Sequence, residues 1–170
     1  MADPKKIYWD SCVWIALINR EPKVDACDYH IELARKGEVQ IWTSSLTIAE
    51  VYKAKSEAGP KALLEAQELA FLNFVDQDFV YEVQLDHDIA TMARALCRKH
   101  APLKKPNDGV HIATAAMHNV DELHTFDRDD LLPLNGLVMR LDQKPLVVCR
   151  PPNRPLTEEP DPRGRTEPLF

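Results

Sequence analysis

The sequence lacks the features that mark several large classes of protein. No apolar run approaches the roughly 20 residues that a membrane-spanning helix needs, and the opening MADPKKIYWD lacks the apolar region of a signal peptide. The four cysteines form no C-x-x-C pair and the six histidines form no H-E-x-x-H motif, which argues against a zinc knuckle, a redox dithiol and a zincin site. We therefore expect a cytoplasmic protein with reduced thiols and no membrane partner.

Basic residues are outnumbered, and motifs for nucleophilic catalysis are missing. The 170 residues include 21 Lys and Arg against 27 Asp and Glu, a formal net charge of −6 at pH 7. Nucleic-acid binders usually carry a basic surplus, so this balance argues against such a partner without excluding one. Acids gathered around cations in a single site would produce the same balance. No G-x-S-x-G motif or comparable Cys–His pattern is present.

Strand-like and helix-like patterns alternate along most of the chain. Runs typical of strands occur at residues 5–10, 39–45, 79–83 and 122–126. The last strand of the main sheet is predicted at 137–141 (LVMRL), and a short edge piece at 146–149. This alternation predicts an α/β fold in three α/β/α layers around a mainly parallel central sheet.

The segments between these strands carry helical spacing and recognisable helix ends. Residues 46–58 are predicted as a helix capped by Ser44 or Ser45 and ended by Gly59-Pro60, and another helix follows at 61–75. Asp86 is placed to cap the next helix. The decapeptide PNDGVHIATA, residues 106–115, opens a further helix, with Asp108 predicted as its cap.

The composition changes near residue 150, which predicts the domain boundary. Residues 1–149 have the length and apolar content of one domain. Residues 150–170 hold six of the chain's 13 prolines and almost no core-forming residues. Such a segment cannot bury enough apolar surface to offset the entropy of ordering, so we predict a Pro-rich flexible tail.

Four carboxylates are predicted to meet at one edge of the sheet. Asp10 ends the first strand, Glu50 lies one turn into the helix after the second, and Asp127 follows strand 122–126. Asp108 opens a helix whose first turn lies at that same edge in a right-handed crossover. Each acid alone could be a cap or a surface charge. Four on one rim would raise one another's pKa unless a cation neutralised them, and hard oxygen ligands suit Mg²⁺ or Mn²⁺.

The chain resembles PIN-domain proteins, and more narrowly the toxin nucleases of bacterial VapBC toxin–antitoxin pairs. The resemblance rests on IYWDS at 7–11, SLTIAEV at 45–51, NDGVHIATA at 107–115 and LHTFDRD at 123–129, and it spans roughly residues 5–145. It implies a hydrolase, a Mg²⁺- or Mn²⁺-dependent endoribonuclease that cuts RNA phosphodiester bonds. It also implies a cognate antitoxin partner and a homodimer.

By motif position, the resemblance implies a set of catalytic residues that also bind the metal. These are Asp10, Glu50, Asp108 and Asp127. Because Asp127, Asp129 and Asp130 lie together, the identity of the fourth acid is open.

Other residues are predicted to assist this acidic set. The resemblance makes Ser11 and Thr125 supporting hydroxyls that orient carboxylates or water, with Asp129 as a further candidate. His111 is expected to pack or hydrogen-bond rather than act as a base, because geometry and not residue type qualifies a base. Lys104 and Lys105, in the loop before Asp108, are the candidate RNA contacts.

Two other functions are left open. One is a PIN nuclease of RNA processing or repair, which the Pro-rich tail keeps in play because it lengthens the chain beyond a compact toxin. The other is a non-catalytic PIN-like module that binds RNA or protein, which the presence of all four acids disfavours. A phosphatase of the haloacid-dehalogenase type is set aside, since it needs a second Asp where Cys12 stands.

Overall fold

The computed structural model describes residues 3–52 and 63–157, and these form one five-stranded sheet with helices on both faces. Every strand pairing is parallel, in the order β3-β2-β1-β4-β5, which confirms the predicted fold class. The strands are β1 (Lys5–Trp9), β2 (Val39–Ser44), β3 (Val80–Val83), β4 (Glu122–His124) and β5 (Val147–Cys149).

Pairs of helices connect the first four strands. They are α1 (Ser11–Ile18), α2 (Val24–Arg35), α3 (Ser45–Glu50), α4 (Glu65–Val75), α5 (His87–Lys99) and α6 (Pro106–Met117). The predicted helix 46–58 therefore ends early, at Glu50, and its proposed Gly59-Pro60 terminator lies outside the described residues. Ser44 and Asp86 cap α3 and α5 as predicted, each by accepting a backbone N–H bond.

Alternation along β1 divides the core between the two faces of the sheet. Tyr8 belongs to a buried cluster with the apolar residues of α5 and α6. Ile7 and Trp9 belong to a second cluster with α1, α2 and α4 on the other face. Successive side chains of a strand point to opposite faces, so a three-layer structure follows. No helix in the described ranges is both long and apolar enough to span a bilayer.

The prediction that residues 137–141 form the last strand of the sheet was wrong. Within this segment Met139 makes an isolated antiparallel bridge to Pro145, and residues 147–149, predicted as an edge piece, are the fifth parallel strand. In the structure, a polar side chain of this segment faces inward. The Arg140 guanidinium turns inward to donate to the Val120 carbonyl and to Asp121, both at 2.9 Å, which leaves its neighbours in sequence exposed.

The described part of the predicted tail, residues 150–157, contacts α2. Arg154 donates to Glu32 Oε1 at 2.7 Å, and its guanidinium lies 4.7 Å from the ring centroid of Tyr29. Pro151 is buried. Residues 158–170 lie outside the described residues, so the domain boundary at residue 150 stays a prediction.

Candidate active site

The predicted acids surround the carboxyl end of β1. The sheet order reverses direction at β1, which lies between β2 and β4, and ligands of open parallel sheets bind at such switch points. Asp10 follows β1 directly, Glu50 ends α3 just after β2, Asp108 lies in the first turn of α6, and Asp127 follows β4. Four distant parts of the chain therefore supply this edge.

Asp10 is buried and fully hydrogen-bonded. Its Oδ1 accepts from the Val13 backbone N–H at 3.2 Å, which caps α1, and from the Cys12 thiol at 2.9 Å. Its Oδ2 accepts from the Thr125 hydroxyl at 2.5 Å. Burial raises the pKa of Asp10 above its ordinary value, and nearby His111 together with these hydrogen bonds limits the rise. The Thr125 hydroxyl thus contacts the Asp10 carboxylate directly.

Glu50 is held by a buried histidine. The His111 Nε2 lies 2.8 Å from Glu50 Oε2, the His111 Nδ1 lies 2.8 Å from the Tyr8 hydroxyl, and Asn107 Nδ2 donates to Glu50 Oε1 at 2.8 Å. Burial tends to raise the pKa of Glu50, but hydrogen bonds from His111, Asn107 and Ser11 outweigh it and lower that pKa. Glu50 is therefore stabilised in its charged form, with His111 as one of its hydrogen-bond partners.

His111 itself is stabilised as a cation. Its ring is only 2% exposed. Burial by itself lowers the pKa of a histidine, but the hydrogen bond and charge of Glu50, followed by the charges of Asp10 and Asp108, raise the pKa of His111 above its ordinary value. In turn, His111 lowers the pKa of Asp10, Glu50 and Asp108.

Asp108 does not cap α6, contrary to the prediction. The helix begins at Pro106 with Lys105 as its N-cap residue, so Asp108 falls inside the first turn. Its Oδ2 is buried and has no hydrogen-bond partner among the described residues. Burial raises the pKa of Asp108 to about 6, the charges of Asp127 and Asp130 add to the rise, and Lys105 opposes it. This carboxylate lacks a positive partner close enough to offset its burial.

The three acids after β4 have different environments. Asp127 Oδ1 accepts from the backbone N–H groups of Asp129 at 3.0 Å and Asp130 at 2.9 Å, so it closes the turn that carries both. Asp130 is buried, with its two oxygens 3.7 Å from the ammonium groups of Lys104 and Lys105. The side chain of Asp129 is exposed. Since the charges of Asp127 and Asp130 both raise the pKa of Asp108, these two are the candidates for the fourth acid.

Thr125 and His111 join the acids into one network. The Thr125 hydroxyl donates to Asp10 and accepts from the Asp127 backbone N–H at 2.9 Å. The carboxylates are nevertheless spaced too widely for three of them to share one ion directly. In residues 3–52 and 63–157, one set of side chains brings three potential ligand atoms within 4.8 Å of one another, and it contains none of these acids.

That set is Glu122, His124 and Cys149, on β4 and β5, and two of its groups, Glu122 and His124, already have partners. His124 Nδ1 accepts from Trp9 Nε1 at 3.3 Å, so its Nε2 carries the hydrogen that faces Glu122 at 3.0 Å. Lys5 pairs with the other oxygen of Glu122 at 2.5 Å. A metal ligand needs a free lone pair, so we regard this set as a hydrogen-bond network of the sheet.

Sequence reasoning missed two groups that position the acids. Asn107, next to Asp108 in the first turn of α6, donates to Glu50. Cys12 both donates to Asp10 and accepts from the Phe126 backbone N–H at 3.0 Å. Their proximity in sequence to predicted acids was the available signal. Their partners come from other elements, which local patterns do not reveal.

The sheet order and this carboxylate-lined crevice define an α/β protein with an acidic site at its switch point, and comparison with known families identifies the class. The sequence model of the PIN domain family matches residues 7–132 of this chain. The chain belongs to the PIN domain family. A comparison with curated protein sequences finds no match.

Solved structures with a similar fold include toxins of toxin–antitoxin systems. The VapC20 toxin of Mycobacterium tuberculosis, described as cleaving the sarcin–ricin loop, is 16% identical at a TM-score of 0.55, covering 72% of this chain and 91% of its own. VapBC2 of Rickettsia felis, bound to a promoter DNA fragment, is 17% identical at a TM-score of 0.52, and the match covers 72% of this chain and 88% of that chain. A toxin–antitoxin complex of Klebsiella pneumoniae is 21% identical at a TM-score of 0.52, and the match covers 73% of this chain and 88% of that chain. At these identities the likeness establishes the fold.

Proposed function

We propose that this PIN-domain protein is a Mg²⁺- or Mn²⁺-dependent endoribonuclease and the toxin of a VapBC-type pair. The observation that carries the proposal is the buried Oδ2 of Asp108, which has no hydrogen-bond partner among the described residues, in a crevice with three further carboxylates. A buried anion without a partner is costly. A divalent cation would remove that cost.

The donor set fits such an ion. Asp108 would hold the ion directly, and Asp10, Glu50 and Asp127 would act on it through its bound waters, because no three of these acids bring their oxygens within 4.8 Å of one another in the described residues. Mg²⁺ takes only one or two carboxylates directly and keeps several waters, so widely spaced acids suit it better than a tight cage would. When bound, a divalent ion supplies charge neutralisation at the phosphate and activates water for attack on phosphorus.

The chain's own groups would prepare the crevice for that reaction. His111 and Asn107 keep Glu50 charged and fixed, and Thr125 fixes Asp10. Lys104 and Lys105 lie 3.7 Å from Asp130, too far for a hydrogen bond, and their side chains are about 70% exposed. Both ammonium groups are therefore free to contact a phosphate that enters beside the acids.

An RNA-cleavage assay tests the activity. Wild-type protein should cut RNA with Mg²⁺ or Mn²⁺ and lose activity in EDTA, and Asp10→Asn and Asp108→Asn should each lose about 100-fold or more, because each removes a carboxylate that acts on the ion directly or through its bound waters. Asp88→Asn, which changes an exposed acid in the first turn of α5, is the matched control and should retain activity. Circular dichroism checks the fold of each variant. Normal cleavage by the two asparagine variants would show that the site is assigned wrongly.

A growth assay tests the toxin assignment separately from the nuclease activity. The similar structures include toxins in complex with antitoxins, and we propose an antitoxin partner and a homodimer here as well. Expression of the wild type should arrest bacterial growth, Asp10→Asn should not, and co-expression of a small protein encoded next to the gene should restore growth. Cleavage in vitro without growth arrest would instead support a nuclease of RNA processing or repair.

A further inference from the structure

A basic pocket adjoins the acidic crevice. It has a volume of about 300 Å³ and is lined by Lys23, Ala26, Phe126, Arg128, Arg150, Pro151 and Asn153. A second cavity of about 510 Å³ reaches the crevice acids at Asp127 and is also lined by Asp129 and Asp130, whereas Asp10, Glu50 and Asp108 are not among its lining residues. Because Lys23, Phe126 and Arg128 line both, the two cavities form one groove. One end of this groove is acidic and the other is basic.

Two cations of the basic pocket have no counterion. Arg128 and Arg150 are exposed, and neither makes an ion pair or a side-chain hydrogen bond with another described residue. Lys23 adds a third charge, with its ammonium 3.3 Å from Glu21 and 3.9 Å from the ring centroid of Phe126. Like charges that face one cavity repel each other, and an anion relieves that repulsion. A guanidinium fork suits a phosphate in particular.

The two arginines reach the pocket from different parts of the chain. Arg128 follows Asp127 directly, so a phosphate bound there would lie beside the acidic site. Arg150 follows β5 and precedes the buried Pro151, and Arg154 ties this segment to Glu32 on α2. The family match ends at residue 132. The segment that follows β5 therefore supplies one wall of the pocket.

We propose that this basic pocket binds a backbone phosphate of the RNA strand next to the phosphate that is cut. The inference rests on the proposed function, because the acids define which phosphate is cut. Arg128 and Arg150 act as positioning residues that hold the strand along the groove and take no part in bond cleavage. This assigns to part of the predicted tail a role in substrate binding.

RNA binding without cleavage tests the pocket. In an Asp10→Asn background, the dissociation constant of a fluorescein-labelled single-stranded RNA is measured by anisotropy across a range of salt concentrations. Adding Arg128→Gln and Arg150→Gln should weaken binding about tenfold and reduce the slope of log affinity against log salt by about 1.4, since each single-strand phosphate contact contributes about 0.7. The matched control, Arg35→Gln with Lys36→Gln, removes the same charge at the opposite edge of the sheet and should change neither quantity.

Cleavage kinetics distinguish positioning from chemistry. With the acids intact, Arg128→Gln with Arg150→Gln should raise KM about tenfold and leave kcat within about twofold. Unchanged binding in the double variant, an equal loss in the control, or a loss confined to kcat would each overturn the inference. If the wild type cuts no RNA with either metal, the proposed function fails, while the binding measurements still decide whether the pocket holds RNA.

Discussion

At the scale of single residues, the carboxylates of the crevice differ in how well they are satisfied. Asp10 accepts three hydrogen bonds and Glu50 accepts from two side chains, whereas Asp108 Oδ2 accepts none from the described residues. The first two are therefore held in place by the protein itself. Asp108 shares this lack with Asp130, whose buried Oδ1 also has no hydrogen-bond partner among the described residues.

Asp108→Asn should stabilise the metal-free protein near neutral pH. Burial first, and then Asp127 and Asp130, raise the pKa of Asp108 from 3.8 to about 6. A raised folded pKa means that the stability contributed by the protonated acid is present below about pH 4 and is lost as the pH rises through about 6. Since asparagine mimics the protonated acid, the gain near pH 7.5 should be about 1–2 kcal/mol after allowance for solvent screening.

Urea denaturation in EDTA at about pH 4 and pH 7.5 measures this difference. The gain should be small at the lower pH, and added Mg²⁺ should stabilise the wild type more than the variant. Asp88→Asn serves as the control, because Asp88 also lies in the first turn of a helix but its side chain is exposed. An equal gain in the free energy of unfolding at both pH values would contradict the conclusion that ionised Asp108 destabilises the fold.

The positions of these acids could be predicted from sequence, and their protonation behaviour could not. Asp10 and Asp127 follow strands, and the carboxyl ends of parallel strands share an edge. Whether Asp108 caps its helix depends on where α6 begins, and Pro106 starts that helix earlier than expected. Its pKa then depends on neighbours that lie about 20 residues away along the chain, which no local pattern specifies.

At the scale of elements, the close packing of α6 on α5 places Asp108. Gly109 permits this approach, because a Cβ built there would lie 2.6 Å from Cys97 Sγ and 3.0 Å from the Ala93 carbonyl oxygen. The residue that follows the key acid must therefore be small. The first turn of α6 is positioned by this contact between two helices.

Gly109→Ala should destabilise the protein despite the better helix propensity of alanine. Propensity favours the change by up to about 1 kcal/mol, whereas overpacking costs about 1–3 kcal/mol, so we expect a net loss of about 1–2 kcal/mol by urea denaturation. In a Cys97→Ala background the 2.6 Å contact is absent and the loss should fall by about half. Equal losses in the two backgrounds would show that the Cys97 contact does not determine the cost.

Two helix caps could be predicted because their roles are local. Ser44 and Asp86 satisfy backbone N–H groups within three residues of themselves. The segment 137–141 was predicted as a strand, but its inward-facing Arg140 forms an ion pair with Asp121. Whether a segment joins the sheet depends on partners that lie elsewhere in the sequence.

At the scale of the whole molecule, one groove connects residues from the family match with residues beyond it. The acidic end is lined by α1, by Lys105 just before α6 and by the loop after β4, and the basic end depends on the segment after β5. Arg154 connects that segment to α2, where its partner Glu32 is 6% exposed. The shape of the basic pocket therefore depends on an ion pair remote from the acids.

Arg154→Ala should loosen the segment and destabilise the fold. It leaves the buried Glu32 without its cation, which typically costs about 1–3 kcal/mol, and it removes the contact with Tyr29. Thermal melting should show the loss, and hydrogen exchange should show faster exchange in residues 150–157. Adding Glu32→Gln should recover part of the stability. Unchanged exchange in the single variant would contradict a role for this ion pair in holding the segment.

The sequence by itself determined the α/β alternation, the parallel sheet and the four acids at strand and helix ends, because these follow from periodicity and from residue order along the chain. Only the tertiary structure decided which carboxylate lacks a partner, which strand closes the sheet and where the unpaired arginines converge. Each of these features depends on residues that folding brings together from distant segments. Electrostatic energy in particular depends on distance in space rather than on distance along the chain.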